Sequence, residues 1–418
     1  MTGQKSEFLR VLETRQFVHQ NTDRDGLGAL TAAGSVTGYI GFDCTAPSLH
    51  VGSLVQIMML RHMQRCGHKP IVLMGGGTTK IGDPSGRDET RQMLDDDGIA
   101  ANMAGIKQVF SQFLTFGDGP TDAVMVNNAD WLDDLEYIPF LREYGSHMSV
   151  NRMMGFDSVK LRLDRQQPLS FLEFNYMVLQ AYDFLELSRR MNCVLQLGGS
   201  DQWGNIVSGI DLARRLDAKT LYGLTSPLIT TSSGAKMGKT ASGAVWLDAG
   251  QVSPYDYWQF WRSVDDADVG RFLRLFTDLP LDEIARLEAL EGSEVNAAKV
   301  NLATQATTLC HGADAAKAAE GTAETAYSDG EMSEGLPTIR LTANDLVDGL
   351  PVFTMVKMSS KINSNGEARR LIRSGGVRIN DVKVANEMQL VTDSDFDSQG
   401  RLKLRLGKDF YLVTWQLE

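Results

Sequence analysis

Leu49–Ser53 reads LHVGS; it follows the apolar run GYIGF (Gly38–Phe42) and opens a helical pattern, so His50 and Gly52 stand at a strand-to-helix joint. A helix start presents unpaired N–H groups and a partial positive charge, which suits an anion such as a nucleotide phosphate. His50 adds a directed donor there, and Gly52 lets a nucleotide approach the backbone closely. Read alone, the stretch is equally an ordinary surface histidine. A second stretch, KMGKT at Lys236–Thr240, places two lysines on a loop after TTSSGA. Cations on such a loop suit a pyrophosphate leaving group, whose charge develops only as the bond breaks. By itself the same loop is a solvated turn.

The third cluster lies on a helical pattern over Pro168–Arg190 that is apolar almost all round, which predicts a buried helix. Tyr176, Gln180 and Asp183 are spaced i, i+4, i+7, within an arc of about 60°. A polar stripe on a buried helix must find protein partners or a ligand. LGGSDQWGN (Leu197–Asn205) adds Asp201 and Gln202 at a strand end, where a ribose hydroxyl or a substrate carboxylate can sit. The usual nucleotide loops are missing. No GxxxxGK[ST] occurs, and GGGTTKIGD fails GxGxxG because Lys80 stands where the third glycine belongs.

These residues need a scaffold, and the first half of the chain alternates short apolar runs with helical patterns. GYIGF, KPIVLMGGG, DAVMVNNADW and CVLQLGG read as strands, and SLVQIMMLRHMQRCG, IKQVFSQFL and GNIVSGIDLARRL as helices between or after them. That alternation predicts an α/β domain with a parallel, doubly wound (Rossmann-like) sheet, whose ligands bind at the carboxyl ends of the strands. From Pro254 to about Tyr327 the pattern is helical, SDGEMSEGLP reads as a linker, and the tail ends in alternating apolar strands such as FYLVTW. The expected modules are a catalytic domain over about 1–245, a helical domain over about 246–330 and a small α+β tail over about 338–418.

At 418 residues, a length that suits about three domains, the chain is 43% hydrophobic and 22% charged, as expected of a globular protein with a large core. No apolar run approaches the ~18 residues of a membrane span. The opening MTGQKSEFLRVLETRQFVHQ has no apolar core of a secretory leader, so a cytoplasmic location is expected. Four scattered cysteines have neither disulfide-framework nor zinc spacing. The net charge of −12 excludes a protein coated all over by nucleic acid. Yet Lys357–Lys383 holds seven basic and two acidic residues, a net +5 on a body that otherwise carries −17.

Taken together, these motifs resemble the class I aminoacyl-tRNA synthetase family, and closely its bacterial tyrosyl type. GFDCTAPSLHVGS is similar to the first signature of the family and KMGKT to the second. GDPSGR, YMVLQAYD and GGSDQWGNI are more specific to the tyrosyl type, and NSNGEARRLIRSGGVRINDVKV resembles an RNA-binding module of ribosomal-protein type. The tryptophanyl type shares the fold; the Tyr39/Asp183 pair and the basic tail distinguish this chain from it. A non-catalytic RNA-binding protein on the same fold is disfavoured by the retained phosphate-binding residues.

The resemblance implies a reaction and its residues. Tyrosine is first joined to AMP with release of pyrophosphate, then transferred to the 3′ end of tRNA(Tyr). Tyr39 and Asp183 are implied to bind the substrate phenol, Tyr176, Gln180 and Asp83 its amino group, and Gln202 its carboxyl. Asp201, with Gly199, is implied at the ribose, and Gly52 and Ser53 at the nucleotide. Thr45 and His50 are implied at the γ-phosphate, and Lys236, Lys239, Arg87 and Arg91 around pyrophosphate. Magnesium accompanies the ATP, no protein metal site is called for, and the family is homodimeric. Two positions depart from the pattern: Ser53 replaces the second signature histidine, and Ile40 replaces a small polar residue.

Overall fold

The computed structural model describes residues 6–84, 94–232, 234, 237–240, 243–327, 335–359 and 361–415. The chain divides into two compact units, Met1–Met237 with Gly270–Ile284, and Gly238–Val269 with Ala285–Glu418.

The first unit begins with α1 (Glu7–Thr14), β1 (Gln20–Asn21), α2 (Arg24–Ala33), β2 (Thr37–Asp43), α3 (Leu54–Arg65), β3 (Lys69–Gly75), α4 (Gly76–Thr79) and α5 (Asp96–Phe113). It continues with β4 (Val124–Asn127), α6 (Ala129–Leu132), α7 (Tyr137–Glu143), α8 (Val150–Met154), α9 (Asp157–Asp164), α10 (Phe171–Met191), β5 (Cys193–Gly199), α11 (Trp203–Asp217) and β6 (Tyr222–Ser226). The six strands form one sheet in the order β1-β6-β5-β2-β3-β4. All neighbours are parallel except the two-residue edge strand β1, which runs antiparallel to β6. The apolar runs expected as strands are β2 to β5. The pattern passes over β1, too short to show a period, and β6, which has one aliphatic residue, Leu224.

β3 is buried from Pro70 to Gly75, as a central parallel strand must be when helices cover both faces. The chain runs outward from β2 through β3 to β4 on one side, and from β5 to β6 on the other. The order therefore reverses between β2 and β5, and the carboxyl ends of such a pair are where sheets of this kind bind ligands. Asp43 ends β2 there and Gly199 ends β5.

α10 starts three residues later than the sequence pattern suggested, because Ser170 is its N-cap. The Ser170 hydroxyl accepts the Glu173 N–H and the Glu173 carboxylate reaches back, a reciprocal capping box. Its apolar pattern is not buried throughout: Phe171 and Leu172 are exposed in the first turn. The helix ends at Asn192, whose φ of 51° is the left-handed stop.

In the second unit β7 (Lys239–Thr240) pairs antiparallel with β8 (Gly243–Ala244), followed by α12 (Pro254–Arg262). α13 (Asp266–Phe276) and α14 (Leu281–Glu288) carry the chain across the two unit boundaries, and α15 (Val295–His311) and α16 (Ala313–Tyr327) complete the helical stretch. Most of the expected linker lies outside the described residues. The tail holds β9 (Thr338–Leu341), α17 (Ala343–Leu346), β10 (Leu350–Pro351), α18 (Val352–Lys357), α19 (Asn365–Arg373), β11 (Val377–Ile379), β12 (Val382–Lys383), β13 (Leu390–Val391), β14 (Arg401–Leu406) and β15 (Asp409–Trp415). Five of these strands form a sheet in the order β12-β11-β14-β15-β9. The tail has a core of its own, running from Ile339 to Val413.

Candidate active site

Tyr39 lies midway along β2, fully buried, with its ring edge-on to Phe184 at 5.3 Å between centroids. Its hydroxyl is buried with no hydrogen-bond partner among the described residues. Burial, then the nearby Asp183 carboxylate, pushes the phenol well above its ordinary range, so it stays protonated and available as a donor. Asp183 on α10 is 2% exposed. One oxygen accepts Asn128 Nδ2–H at 3.0 Å and the other Trp131 Nε1–H at 2.8 Å. Burial pushes this carboxyl up to about 7, against the pull of those two donors. Gln196, paired with Tyr39 from the adjacent strand β5, also has a buried side-chain oxygen with no hydrogen-bond partner among the described residues. Unpaired polar atoms in a core cost free energy unless something completes them.

The other two members of the α10 stripe have protein partners. Tyr176 donates its hydroxyl hydrogen to Asp43 Oδ1 at 3.0 Å, and Thr78 donates to the same oxygen at 3.1 Å. Gln180 donates to Gln202 Oε1 at 3.3 Å and accepts from Asn205 Nδ2 at 2.8 Å. Gln202 donates in turn to Asp83 Oδ2 at 3.0 Å. So Asp83, Gln180 and Gln202, far apart in sequence, share one network, with Asp201 at 3.5 Å from Gln202 Nε2. A Cβ on Gly199 would fall 2.5 Å from Asp201 Oδ1, so a side chain there would displace the Asp201 carboxylate.

His50 caps the short 3-10 turn Val51–Ser53 that leads into α3, its Nδ1 accepting the Gly52 N–H at 3.0 Å. That bond requires a bare Nδ1, which puts the proton of the neutral ring on Nε2. A Cβ on Gly52 would lie 2.6 Å from His50 Cε1 and 3.2 Å from the Met237 carbonyl. The glycine thus makes room for the histidine ring itself. Ser53 makes no side-chain capping bond to α3. Thr45 is half-buried in the loop after β2, which is pinned by Cys44 N–H to Thr79 Oγ1 at 2.8 Å and Asn102 Nδ2–H to the Cys44 carbonyl, also at 2.8 Å. Ile40 is buried and offers no polar atom. Arg87, Arg91 and Lys236 lie outside the described residues, and of Lys239 only the backbone, in β7, is described.

The structure adds Asp43, Thr78, Asn128, Trp131, Gln196 and Asn205 to the residues that the sequence singles out. The signal for two of them was present: Asn128 and Trp131 stand in NNADW just beyond β4, at the carboxyl edge where such sheets bind ligands.

Residues 31–328 match the family described as tRNA synthetases class I (W and Y). A tyrosine–tRNA ligase of Rhodospirillum rubrum is 63% identical over 408 residues, covering 98% of this chain and 97% of that protein. One of Caulobacter sp. (strain K31) is 61% identical over 404 residues, covering 97% of this chain and 96% of that protein. Among solved structures, a C-terminally truncated Aspergillus nidulans mitochondrial tyrosyl-tRNA synthetase matches with a TM-score of 0.68 at 31% identity, covering 76% of this chain and 94% of that one.

Proposed function

The chain belongs to the class I tRNA synthetases, among their tyrosine–tRNA ligases, and from that premise we propose which residues perform each step. The enzyme activates tyrosine with ATP and transfers it to tRNA(Tyr). In the first step a tyrosine carboxylate oxygen bonds to the α-phosphorus while the bond to the β-phosphate breaks and pyrophosphate leaves. The nucleophile is already anionic, so the protein supplies positioning and charge stabilisation. In the second step the terminal ribose of the tRNA displaces AMP from the activated carboxyl.

The observation that carries the assignment is the orphaned Tyr39 hydroxyl beside Asp183. A substrate phenol between them accepts from Tyr39, completing its hydroxyl, and donates to ionised Asp183 as a third partner. Tyr176, Gln180 and Asp83 hold the amino group, Gln202 lies by the carboxyl, and Asp201 and Gly199 hold the ribose. Thr45 and His50 bind the γ-phosphate, with Gly52 and Ser53 beside the nucleotide. Lys236, Lys239, Arg87 and Arg91 take the pyrophosphate, and magnesium arrives with the ATP as part of the substrate. Tyrosine-dependent exchange of labelled pyrophosphate into ATP tests the reading: exchange with tyrosine alone is expected, and exchange driven by tryptophan or none at all would refute it.

We assign the tail over about 338–418 to tRNA binding, residues 1–245 to catalysis and 246–330 to a helical module on the anticodon side, in a cytoplasmic enzyme. A homodimer is proposed from the apolar surface between residues 137 and 172. There Tyr137, Ile138, Val150, Leu161, Phe171 and Leu172 are each 45–68% exposed, apolar side chains that a second copy of the chain would cover. Sedimentation at micromolar concentration should find two chains per particle.

His50 provides a separate prediction. Its Nε2–H is proposed to grip the γ-phosphate more tightly as pyrophosphate departs, an interaction made mainly in the transition state. His50→Ala should slow single-turnover adenylate formation by about 2 kcal/mol, roughly thirtyfold, with little change in ATP KM. Ser53→Ala should cost about 1 kcal/mol at most, the worth of a neutral hydrogen bond. A larger effect at Ser53, or a His50→Ala defect confined to ATP KM, reverses the roles.

A further inference from the structure

Among the described residues, the Asp183 carboxylate is held by two neutral donors, Asn128 and Trp131. The Trp131 indole is itself held from its other side. The Arg190 guanidinium carbon stands over the ring, 5.3 Å from its centroid, and Arg190 Nε donates to Glu186 Oε2 at 2.7 Å. Asp183, Glu186 and Arg190 fall at i, i+3, i+7 on α10 and so share one face of that helix. Trp131, from α6, links the two ends of this stripe: its N–H meets the carboxylate at one end and its ring meets the cation at the other. The indole is 6% exposed, whereas the Arg190 side chain is half-exposed.

We propose that Arg190 is a positioning residue for tyrosine recognition, fixing the Trp131 indole so that its N–H stays on Asp183. Two physical effects act together. A cation over the ring is attracted to its negative face, which resists rotation of the indole away from Asp183. The same cation draws electron density toward itself and strengthens the N–H as a donor, as expected for hydrogen bonds coupled in series in a low-dielectric site. Glu186 keeps the guanidinium over the ring, and Arg189 Nη1, at 3.3 Å from the other Glu186 oxygen, helps to place that carboxylate. An Arg190–Glu186 pair serving only as a helix-surface ion pair would add slightly to stability and leave substrate kinetics alone.

The inference rests on Asp183 receiving the substrate hydroxyl, so the experiment includes a variant that tests that premise by itself. Pyrophosphate exchange is measured on the full chain for Arg190→Met, Arg190→Lys and Asp183→Asn, with tyrosine, phenylalanine and ATP each varied. Arg190→Met should raise tyrosine KM about threefold, leave ATP KM unchanged and lower the tyrosine-over-phenylalanine ratio by a similar factor. Arg190→Lys, which restores a cation over the ring, should recover most of the loss. An unchanged tyrosine KM in Arg190→Met overturns the proposal, as does an equal rise for tyrosine and ATP or a lysine variant no better than the methionine. If Asp183→Asn lowers discrimination while Arg190→Met is silent, the Arg190 role alone fails. If Asp183→Asn leaves discrimination intact, the assignment of the phenol site fails and takes this inference with it.

Discussion

Asp183→Asn should lower kcat/KM for tyrosine by about 4 kcal/mol, on the order of a thousandfold, while the folded chain gains relative stability above neutral pH. The kinetic half follows from complementarity. On the proposed assignment, ionised Asp183 accepts the substrate phenol hydrogen and Tyr39 donates to the phenol oxygen, so phenylalanine leaves the buried Tyr39 hydroxyl unpaired and deprives Asp183 of a third donor. Tyrosine against phenylalanine in this enzyme class is the standard instance of that rule. An asparagine presents one oxygen where Asn128, Trp131 and the substrate all seek an acceptor. Tyr39→Phe should erode the same ratio, and an unchanged ratio in both variants would remove the pair from the pocket.

The stability half follows from the Asp183 pKa of about 7, raised from its ordinary 3.8 chiefly by burial, with Asp43 and Glu186 pushing the same way. A carboxyl raised on folding binds its proton more tightly in the native state than in the unfolded chain. Its contribution to stability is therefore fully present below about pH 4 and is lost as pH rises through 7. The ionised form weighs against the fold above that point by on the order of 4 kcal/mol. Asparagine does not titrate. The stability difference between Asp183→Asn and the parent, measured by urea unfolding, should grow in favour of the variant from pH 4 to pH 8. Parallel pH profiles would show that burial does not raise this carboxyl. On the proposed assignment, the charge that recognises the substrate is one that weighs against the fold.

Truncation after Gly335 should leave tyrosyl-adenylate formation nearly intact and lower kcat/KM for tRNA charging by on the order of a hundredfold at physiological salt. The removed segment has a core closed on itself, from Ile339 to Val413, so its loss need not open the rest of the chain. It also removes the basic window, from which Arg370 and Arg378 project on α19 and β11. Fewer phosphate contacts release fewer counterions, so the truncated enzyme should show a shallower fall of charging with salt. Equal charging by both forms at physiological salt, or an equal salt slope, would assign the tRNA anchor elsewhere.

The sequence by itself determined the parts of this protein that repeat along the chain. Strands β2 to β5 are legible because continuous apolar runs are what a parallel sheet covered on both faces demands. The stripe Tyr176, Gln180, Asp183 is legible because 3.6-residue periodicity converts spacing into a common face. The basic window over Lys357–Lys383 is a matter of counting.

Partnership was decided by the tertiary structure alone. Spacing shows that Asp183 faces the same way as Tyr176, but only the fold of β4 into α6 brings Asn128 and Trp131 to its two oxygens. Likewise Gln202 meets Asp83 across 119 residues, and Asp43 gathers Tyr176 and Thr78 from two different helices. The role of Gly52 also needed coordinates, since a glycine before a helix does not reveal that a histidine ring two residues earlier occupies the space of its absent side chain. Hydrogen bonds reach about 3 Å, so they are set by which strand ends the sheet order brings together. No local pattern of residues encodes that order, because the reversal between β2 and β5 follows from how the whole sheet closes around its core.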